Sequence, residues 1–311
     1  MFAAFLATCL FSISVISGHR TAKIIGGVEA NFWRLTFATL FLSLWAFTGG
    51  HGVNGAGFSL FLLSGVIGIG IGDAGLFQAL PRLGSRLSVL ILQCLTAPIA
   101  ALVEWLWLGT TLGATEIIGA LMILAGVGVA IAPVEHNPIP RPALIVGGWF
   151  GLLGATGNAL GAVISRKAYA VAHDHQETLD GGTAAFQRIL GGLLVSAILL
   201  LFAKRQFIRM PGDSSDTSVV TPAAEKWRRI APWVLLNSLA GQTLGVSAMQ
   251  WGLETTPTGV VMSITALTPL AVIPLARIFE NEKITARSLL GGAIAVSGVI
   301  CLTLSKWSSH P

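Results

Sequence analysis

The sequence contains few charged residues. Asp, Glu, Lys and Arg make up 11% of its 311 residues, where about 25% is usual in soluble domains. The apolar fraction is 53% and the mean hydropathy is +0.77. So few charges cannot cover a surface that faces water. The composition therefore excludes a soluble protein and predicts that most of the chain is surrounded by lipid.

Cysteine and clustered histidine are also scarce. The three cysteines, Cys9, Cys94 and Cys301, are dispersed through apolar segments, which argues against a disulfide framework or a cysteine metal cluster. His173 and His175 have no further ligand nearby in sequence, so we expect a solvated loop there, no metal and no cofactor. The basic residues that give the +5 net charge lie in short loops, so no nucleic-acid partner is expected.

Ten apolar segments follow one another along the chain. Each is about the 20 residues that a helix needs to cross the hydrocarbon core. Helices are predicted because every backbone polar group must be satisfied within lipid. The fold class is therefore an all-α membrane protein with ten transmembrane helices. The segments are 2–18, 32–48, 58–80, 87–108, 115–132, 143–165, 184–202, 230–253, 260–279 and 289–304.

Three further features bear on the organisation of the chain. The first apolar segment lacks preceding basic residues and a clear cleavage site, so we interpret it as a span and not as a signal peptide. The segment 133–142 contains four prolines and predicts an extended connector. The segment 204–229 contains six Lys and Arg residues around a Ser, Asp, Pro and Gly centre, and it predicts a mobile polar loop.

The two halves of the chain repeat each other. Pro98 lies within the fourth span and Pro269 within the ninth, and Gln78 matches Gln250 at an offset of 172 residues. Five spans per repeat is an odd number, so the second copy enters the membrane inverted. Inverted repeats are common in secondary transporters, which bind substrate near the midplane between the repeats. The predicted boundaries are 1–133 for the first repeat, 134–142 for the linker and 143–306 for the second repeat.

The duplicated motifs resemble those of the drug/metabolite transporter superfamily, EamA type. They include Arg34 at the head of the second span, Arg188 in the seventh, the matched prolines, and Glu282 before the last span. The resemblance covers nearly the whole chain and implies a carrier of small metabolites, such as amino acids, in the inner membrane. One departure is Thr110, which stands where the family usually has a second glutamate.

Asp73 is the leading candidate for substrate binding. It lies in a glycine-rich span with no Lys or Arg in the ten residues before it. A carboxylate within a span is costly and usually faces a cavity or a partner, so Asp73 is expected to bind a cationic group or exchange protons. A buried structural role is the alternative. The repeat places Gln242 opposite Gly70, which shares a helix face with Asp73. We therefore expect Asp73 and Gln242 to line one cavity.

Five further side chains are candidates for substrate contact: Gln78, Gln93, Asn158, Gln250 and Trp251. Gln93 and Asn158 fit a cavity wall and a helix–helix seam equally well. Interhelical hydrogen bonding is the alternative for Gln78 and Gln250. Trp251 fits an aromatic wall or an interface anchor.

Other residues carry structural predictions. Glu104 is expected at the wet rim of the cavity, near the end of its span. Pro98 and Pro269 are predicted to kink their helices and to act as hinges. The glycines around Asp73 resemble a nucleotide-binding loop, but no strand precedes them. They are instead predicted to be close-packing surfaces, and they are Gly68, Gly70, Gly72 and Gly75.

The predicted function is secondary transport by alternating access, as an exporter or exchanger and not an enzyme. The alternative is a non-transporting membrane sensor or scaffold. The expected partners are a small-molecule substrate and the lipid bilayer, with proton coupling and a monomer or homodimer both left open. Fifteen of the 19 Lys and Arg residues belong to loops after odd-numbered spans and their flanks. This places the termini outside the cytoplasm, whereas the resemblance implies cytoplasmic termini.

Overall fold

The protein is described here from a computed structural model, which covers residues 1–131, 140–209, 223–272 and 286–308. Over these residues the chain is helical apart from short turns, and it contains no strand. The all-α architecture of ten spans in two inverted five-helix repeats is confirmed. The helices are α1 Phe2–Ile25, α2 Gly27–Thr48, α3 Phe58–Gly65, π1 Val66–Ile71, α4 Gly72–Leu108, α5 Ala114–Ile131, α6 Arg141–Asp174, α7 Gly181–Arg209, α8 Ala223–Asn237, π2 Ser238–Gly245, α9 Val246–Thr255, α10 Thr258–Thr265 and α11 Ala286–Ser308.

Helix lengths and hydropathy agree with a membrane protein. Five of the described helices are long and apolar enough to cross a membrane, and three shorter apolar helices accompany them. The third span consists of α3, π1 and the start of α4, and the eighth consists of α8, π2 and α9. Several helices extend beyond their predicted ends, because charged side chains at a helix end can reach the aqueous interface.

The third and fourth spans are joined without a break in helical conformation. A Cβ on Gly154 would lie 3.2 Å from the backbone N of Leu76 and 3.3 Å from Cδ1 of Leu92. In a straight helix those two residues would be about 24 Å apart. The helical chain therefore reverses direction between them, where the sequence predicts the connection between two spans.

Contacts between the repeats follow their pseudo-symmetry. The second span packs on the seventh, the fourth on the ninth and the fifth on the tenth, so each of these spans meets its own counterpart. The first span packs on the eighth, and the symmetry-related pair, the sixth and the third spans, packs in the same way. The repeats are therefore interlocked, and the space between them is bounded by helices of both.

Glycine allows the third and sixth spans to touch through their backbones. A Cβ on Gly161 would lie 2.6 Å from Cα of Gly68, and one on Gly157 would lie 2.8 Å from Cα of Gly72. Any larger residue would force the helices apart. Small residues at such seams let membrane helices approach closely, which is the role that the sequence predicts for this glycine run.

Each repeat contains a π-helical segment at the same position. The offset of 172 residues that aligns the repeats places Val66, the start of π1, on Ser238, the start of π2. π-Helices are rare and occur mainly as short insertions near functional sites. The first one leads directly into Asp73, and the second contains Gln242. Nothing in the sequence pattern predicts them.

The two matched prolines differ in their surroundings. Pro98 is exposed and lies within the unbroken helix α4. Before Pro269, helix α10 ends at Thr265, and a turn at residues 266–267 precedes a resumed helix over 268–272. Proline cannot donate to the carbonyl four residues earlier and clashes with it, so the break falls where Pro269 predicts one. The rest of the ninth span lies outside the described residues.

The predicted connectors are covered only in part. Residues 141–142 of the proline-rich segment already belong to α6, where a proline in the first turn costs no hydrogen bond. The polar loop is shorter than predicted, because residues 204–209 continue α7 and α8 begins at Ala223. Residues 132–139 and 210–222, which hold the centres of both connectors, and the motif residue Glu282 lie outside the described residues.

Candidate functional site

A cavity of about 250 Å³ lies between the repeats. Side chains from both repeats line it, and the described lining residues include two arginines and one aspartate, which give a formal net charge of +1. Its polar lining is Ser14, Arg34, Asp73, Gln93, Thr96, Asn158, Arg188, Gln242, Thr265 and Thr268. Its remaining wall is mostly apolar and includes Phe11, Val15, Ile69, Leu92, Val246, Met249 and Met262.

Asp73 forms an ion pair within this cavity. Its carboxylate lies 3.0 Å from Nη2 of Arg34, and the two side chains are 19% and 20% exposed. The same arginine nitrogen donates to the side-chain oxygen of Asn31. The aspartate therefore does have a basic partner, 39 residues earlier in the chain. The sequence signal for Arg34 is its match with Arg188 in the second repeat, which marks the repeat but does not indicate a contact.

Arg188 enters the same cavity from the seventh span and is 2% exposed. Within the described part of the chain, its Nε and Nη1 atoms have no hydrogen-bond partner. Arg34 and Arg188 occupy equivalent positions in the two repeats, so the pseudo-symmetry brings two guanidinium groups to one site. Sequence reasoning finds both arginines as motif residues and misses them as site residues.

Four of the seven predicted substrate-contact residues line this cavity: Asp73, Gln93, Asn158 and Gln242. Gln242 is 8% exposed, and its Oε1 atom has no hydrogen-bond partner among the described residues. The side-chain amide of Asn158 donates to the carbonyl of Gly154 at 3.2 Å. Asp73 and Gln242 thus lie on the wall of one cavity, as their equivalent helix faces predict.

The other three candidates lie outside this cavity. Gln78 is exposed and accepts a hydrogen bond from Arg82 at 2.9 Å. It is five residues after Asp73, so it points away by about 140° around the helix. Gln250 is fully buried about two turns beyond Gln242. Trp251 is 50% exposed and lines a wider, open groove of about 790 Å³ near the helix ends.

Glu104 is not at a wet rim, contrary to the prediction. It is 2% exposed, and its carboxylate pairs with Nε of Arg166. Its second oxygen accepts the backbone N–H of Thr258 at 2.6 Å. That N–H belongs to the first turn of α10, where it has no partner within its own helix. Partners from the sixth and ninth spans therefore bury a residue that sequence position alone puts at the surface.

The Glu104–Arg166 pair also contacts the connection between α9 and α10. Nη1 of Arg166 donates to the carbonyls of Leu253 and Thr256. Both charged groups thus have partners within the protein, although Oε1 of Glu104 meets Arg166 as an ion pair without an aligned hydrogen bond. The pair joins the fourth, sixth, eighth and ninth spans at the side of the membrane on which the chain termini lie.

A short helical distance separates this pair from the cavity. Glu104 and Arg166 each lie eight residues, about 12 Å along a helix, beyond a cavity residue of the same helix, Thr96 and Asn158. Between the pair and the cavity lie buried apolar side chains that pack into one cluster. Its members include Ala97, Ala100, Val260, Val261 and Ile264. The cavity is closed by packed side chains in this direction.

Asp180 caps the seventh span outside the membrane-spanning segment. Its Oδ1 accepts the backbone N–H groups of Gly182 and Thr183 and the indole N–H of Trp45 at 2.8–3.0 Å. Burial raises the pKa of Asp180, but the hydrogen bonds from Thr183, Trp45 and Gly182 together outweigh it and hold the pKa below its usual range. This carboxylate links the end of α2 to the start of α7.

Comparison with known proteins identifies the family. The model of the EamA-like transporter family matches residues 1–132 and 145–304. A solved structure titled "Crystal structure of protein" is 14% identical, covers 99% of this chain and 99% of its own, and has a TM-score of 0.74. That likeness shows the fold alone. No curated protein matches the chain.

Proposed function

Since the chain belongs to the EamA-like transporter family, which makes it a multi-pass membrane transporter of small compounds, we propose that it works by alternating access. It is a secondary transporter, an exporter or exchanger of small metabolites such as amino acids or related compounds. It acts in the inner, cytoplasmic membrane. The cavity between the repeats is its substrate site.

The composition of the cavity wall carries this proposal. The first repeat contributes Asp73 and Gln93, and the second contributes Asn158 and Gln242. A site whose two halves belong to different repeats changes its shape when one repeat moves against the other, which is how inverted repeats alternate access. The small volume, below the about 300–1,000 Å³ usual for ligand pockets, favours a small metabolite.

The Glu104–Arg166 pair is the proposed closure on the side of the termini. It joins helices of both repeats about two turns from the cavity, and an apolar cluster fills the space between. Opening that side requires these contacts to separate. The substrate then enters or leaves past the fourth, sixth and ninth spans.

Transport in proteoliposomes tests the proposal. The purified protein is reconstituted and screened for counterflow of labelled amino acids, organic acids, amines and sugars. We expect at least one class to be transported, and we expect Asp73→Asn to reduce that transport about tenfold or more. The matched control is Asp174→Asn, the same chemical change at an exposed position at the end of α6.

The outcomes separate the hypotheses. Transport that is lost in Asp73→Asn and retained in Asp174→Asn supports the cavity as the substrate site. Equal transport and equal pH dependence in both variants would make Asp73 structural. Saturable binding without counterflow of any compound would favour the membrane sensor.

A further inference from the structure

Arg188 is a buried cation that the described protein does not neutralise. It is 2% exposed, and Nε and Nη1 find no hydrogen-bond acceptor among the residues that the structure covers. Burying a charge without a hydrogen-bonded partner is unfavourable, and each such group calls for an explanation. A guanidinium on the wall of a cavity is explained if a ligand supplies the missing acceptors.

The charges in the cavity leave Arg188 in excess. The one carboxylate, Asp73, is engaged by Arg34 at 3.0 Å. It attracts Arg188 electrostatically from farther away, without an ion pair between them among the described contacts. Among the described lining residues two guanidinium groups face one carboxylate, so one positive charge remains. A ligand with a single negative charge would neutralise the site.

The fold holds Arg188 in place through glycine. A Cβ on Gly65 would collide with the backbone carbonyl of Arg188, and one on Gly68 would lie 2.6 Å from its Nη2 atom. The third span can therefore approach the seventh at the backbone and leave room for the guanidinium group. The arginine is positioned before any ligand arrives, which reduces the entropy lost on binding.

We propose that Arg188 binds the carboxylate of the transported compound. This inference rests on the proposed function and names its substrate class: small organic acids with one carboxylate and an apolar body. The planar guanidinium matches a carboxylate with two parallel hydrogen bonds. The apolar wall, which includes Phe11, Val15, Met249 and Met262, accommodates the hydrocarbon part. A phosphate dianion would leave the site with excess negative charge.

Binding of simple probes to the purified protein tests this assignment, whichever carboxylate is the natural substrate. The probes are hexanoate, its neutral isostere hexanamide, hexyl phosphate and L-leucine, and the readout is ligand-induced thermal stabilisation in detergent. We expect hexanoate to stabilise the protein most, and L-leucine to stabilise it less, because its carboxylate can pair with Arg188 but its ammonium group leaves the positive charge of the site uncompensated. Hexanamide is expected to bind at least tenfold more weakly than hexanoate. We expect hexyl phosphate to bind more weakly than hexanoate.

Three variants connect the binding to Arg188. Arg188→Gln is expected to lose hexanoate binding, and Arg188→Lys to weaken it about tenfold, because an ammonium keeps the charge without the planar pair of donors. Gly68→Ala places a Cβ 2.6 Å from Nη2 of Arg188 and 3.2 Å from Cα of Gly161, so it displaces the guanidinium and is expected to weaken hexanoate binding, and Gly161→Ala, which disturbs the same helix seam, is its control. Arg82→Gln is the matched control, since Arg82 lies outside the cavity against Gln78 and Phe150.

The results distinguish failure of this inference from failure of the proposed function. Equal binding of hexanoate and hexanamide, or hexanoate binding that survives Arg188→Gln, would overturn the role of Arg188. So would the absence of stabilisation by any carboxylate. Counterflow of only neutral or cationic compounds would agree with the proposed transport function but would show that the substrate is not a carboxylate. Hexanoate binding that depends on Arg188, without counterflow of any compound, would support the carboxylate site but contradict the transport function. Tighter binding of hexyl phosphate than of hexanoate would show that the site binds a phosphate and not a carboxylate.

Discussion

Two arginine–carboxylate pairs among the described membrane-spanning residues differ in what surrounds them. Glu104 is 2% exposed and is bound by Arg166 and a backbone N–H. Asp73 and Arg34 are about one-fifth exposed to a cavity that also contains Arg188, whose Nε and Nη1 atoms lack partners among the described residues. In the first pair each charge has its opposite charge within the protein, and the pair holds helices together. The second lies in an incomplete site, which is the condition for binding a ligand.

The inverted repeat explains why the cavity contains an arginine without a carboxylate partner. Duplication preserved the arginines at equivalent positions, Arg34 and Arg188, but it left the carboxylate on one side only. The position equivalent to Asp73 is Gly245, which lies against Phe11 without room for a side chain. One arginine is therefore neutralised by the protein and the other is not.

Removing the complete pair should have the largest effect on stability. Glu104→Ala leaves Arg166 and the N–H of Thr258 without their carboxylate, and breaking a buried ion pair is expected to cost about 3 kcal/mol or more. Thermal and denaturant unfolding in detergent measure this. Glu29→Ala, at a partly exposed glutamate, is the control. A loss below about 1 kcal/mol for Glu104→Ala would show that this pair is not a main structural contact.

Changing the charge balance of the cavity should affect binding more than stability. Arg34→Gln leaves one arginine for one carboxylate, so Asp73 becomes free to pair with Arg188. We expect hexanoate affinity to fall about tenfold, or about 1.4 kcal/mol, with a smaller change in stability than Glu104→Ala. Unchanged affinity would mean that the net charge of the cavity does not govern binding.

Substitution of the two matched prolines should have a smaller effect, which depends on whether the proline lies beside a break in its helix. In Pro269→Ala the restored N–H can donate to the carbonyl of Thr265, which now accepts the hydroxyl of Thr268 at 2.7 Å. We expect the helix to become continuous there and counterflow to slow severalfold, because the proposed hinge in the ninth span is lost. Pro98→Ala, within an unbroken helix, should have little effect. Equal effects of the two substitutions would exclude a special role for the break.

The smallest predicted effect lies outside the membrane. Because the folded state holds the pKa of Asp180 below 3.8, its contribution to stability is present above the unfolded pKa and is lost as pH falls through the folded one. Stability measured between about pH 6 and pH 3 should therefore decline less in Asp180→Asn, which retains a capping side chain without the titration. Identical pH profiles would contradict this assignment.

The sequence predicts the fold well because its main determinants are local or periodic. Apolar runs of membrane length predict the spans, and five spans per repeat predict the inversion. The glycine run predicts close packing around Gly68 and Gly72, where the structure shows backbone contact. The shared face of Asp73 and Gly70 predicts that Gln242 lies near the same space.

Contacts between distant spans could not be predicted in this way. Arg34 reaches Asp73, and Arg166 reaches Glu104, only after the helices have packed. Sequence neighbours alone leave Asp73 without an adjacent base and put Glu104 in water. The π-helical segments also depend on packing, because the residues of π1 and π2 carry no pattern that distinguishes them from α-helix.

The most direct test of the account is the accessibility of the cavity from each side of the membrane. A variant with Gln242→Cys, in which Cys9, Cys94 and Cys301 are replaced by serine, is treated with a membrane-impermeant thiol reagent in vesicles of each orientation. We predict slow labelling from the side of the termini when Glu104 is present, because that side opens only when the Glu104–Arg166 pair separates, and faster labelling from that side in Glu104→Gln. Equal labelling from that side with and without the Glu104→Gln substitution would contradict the claim that this pair closes the cavity.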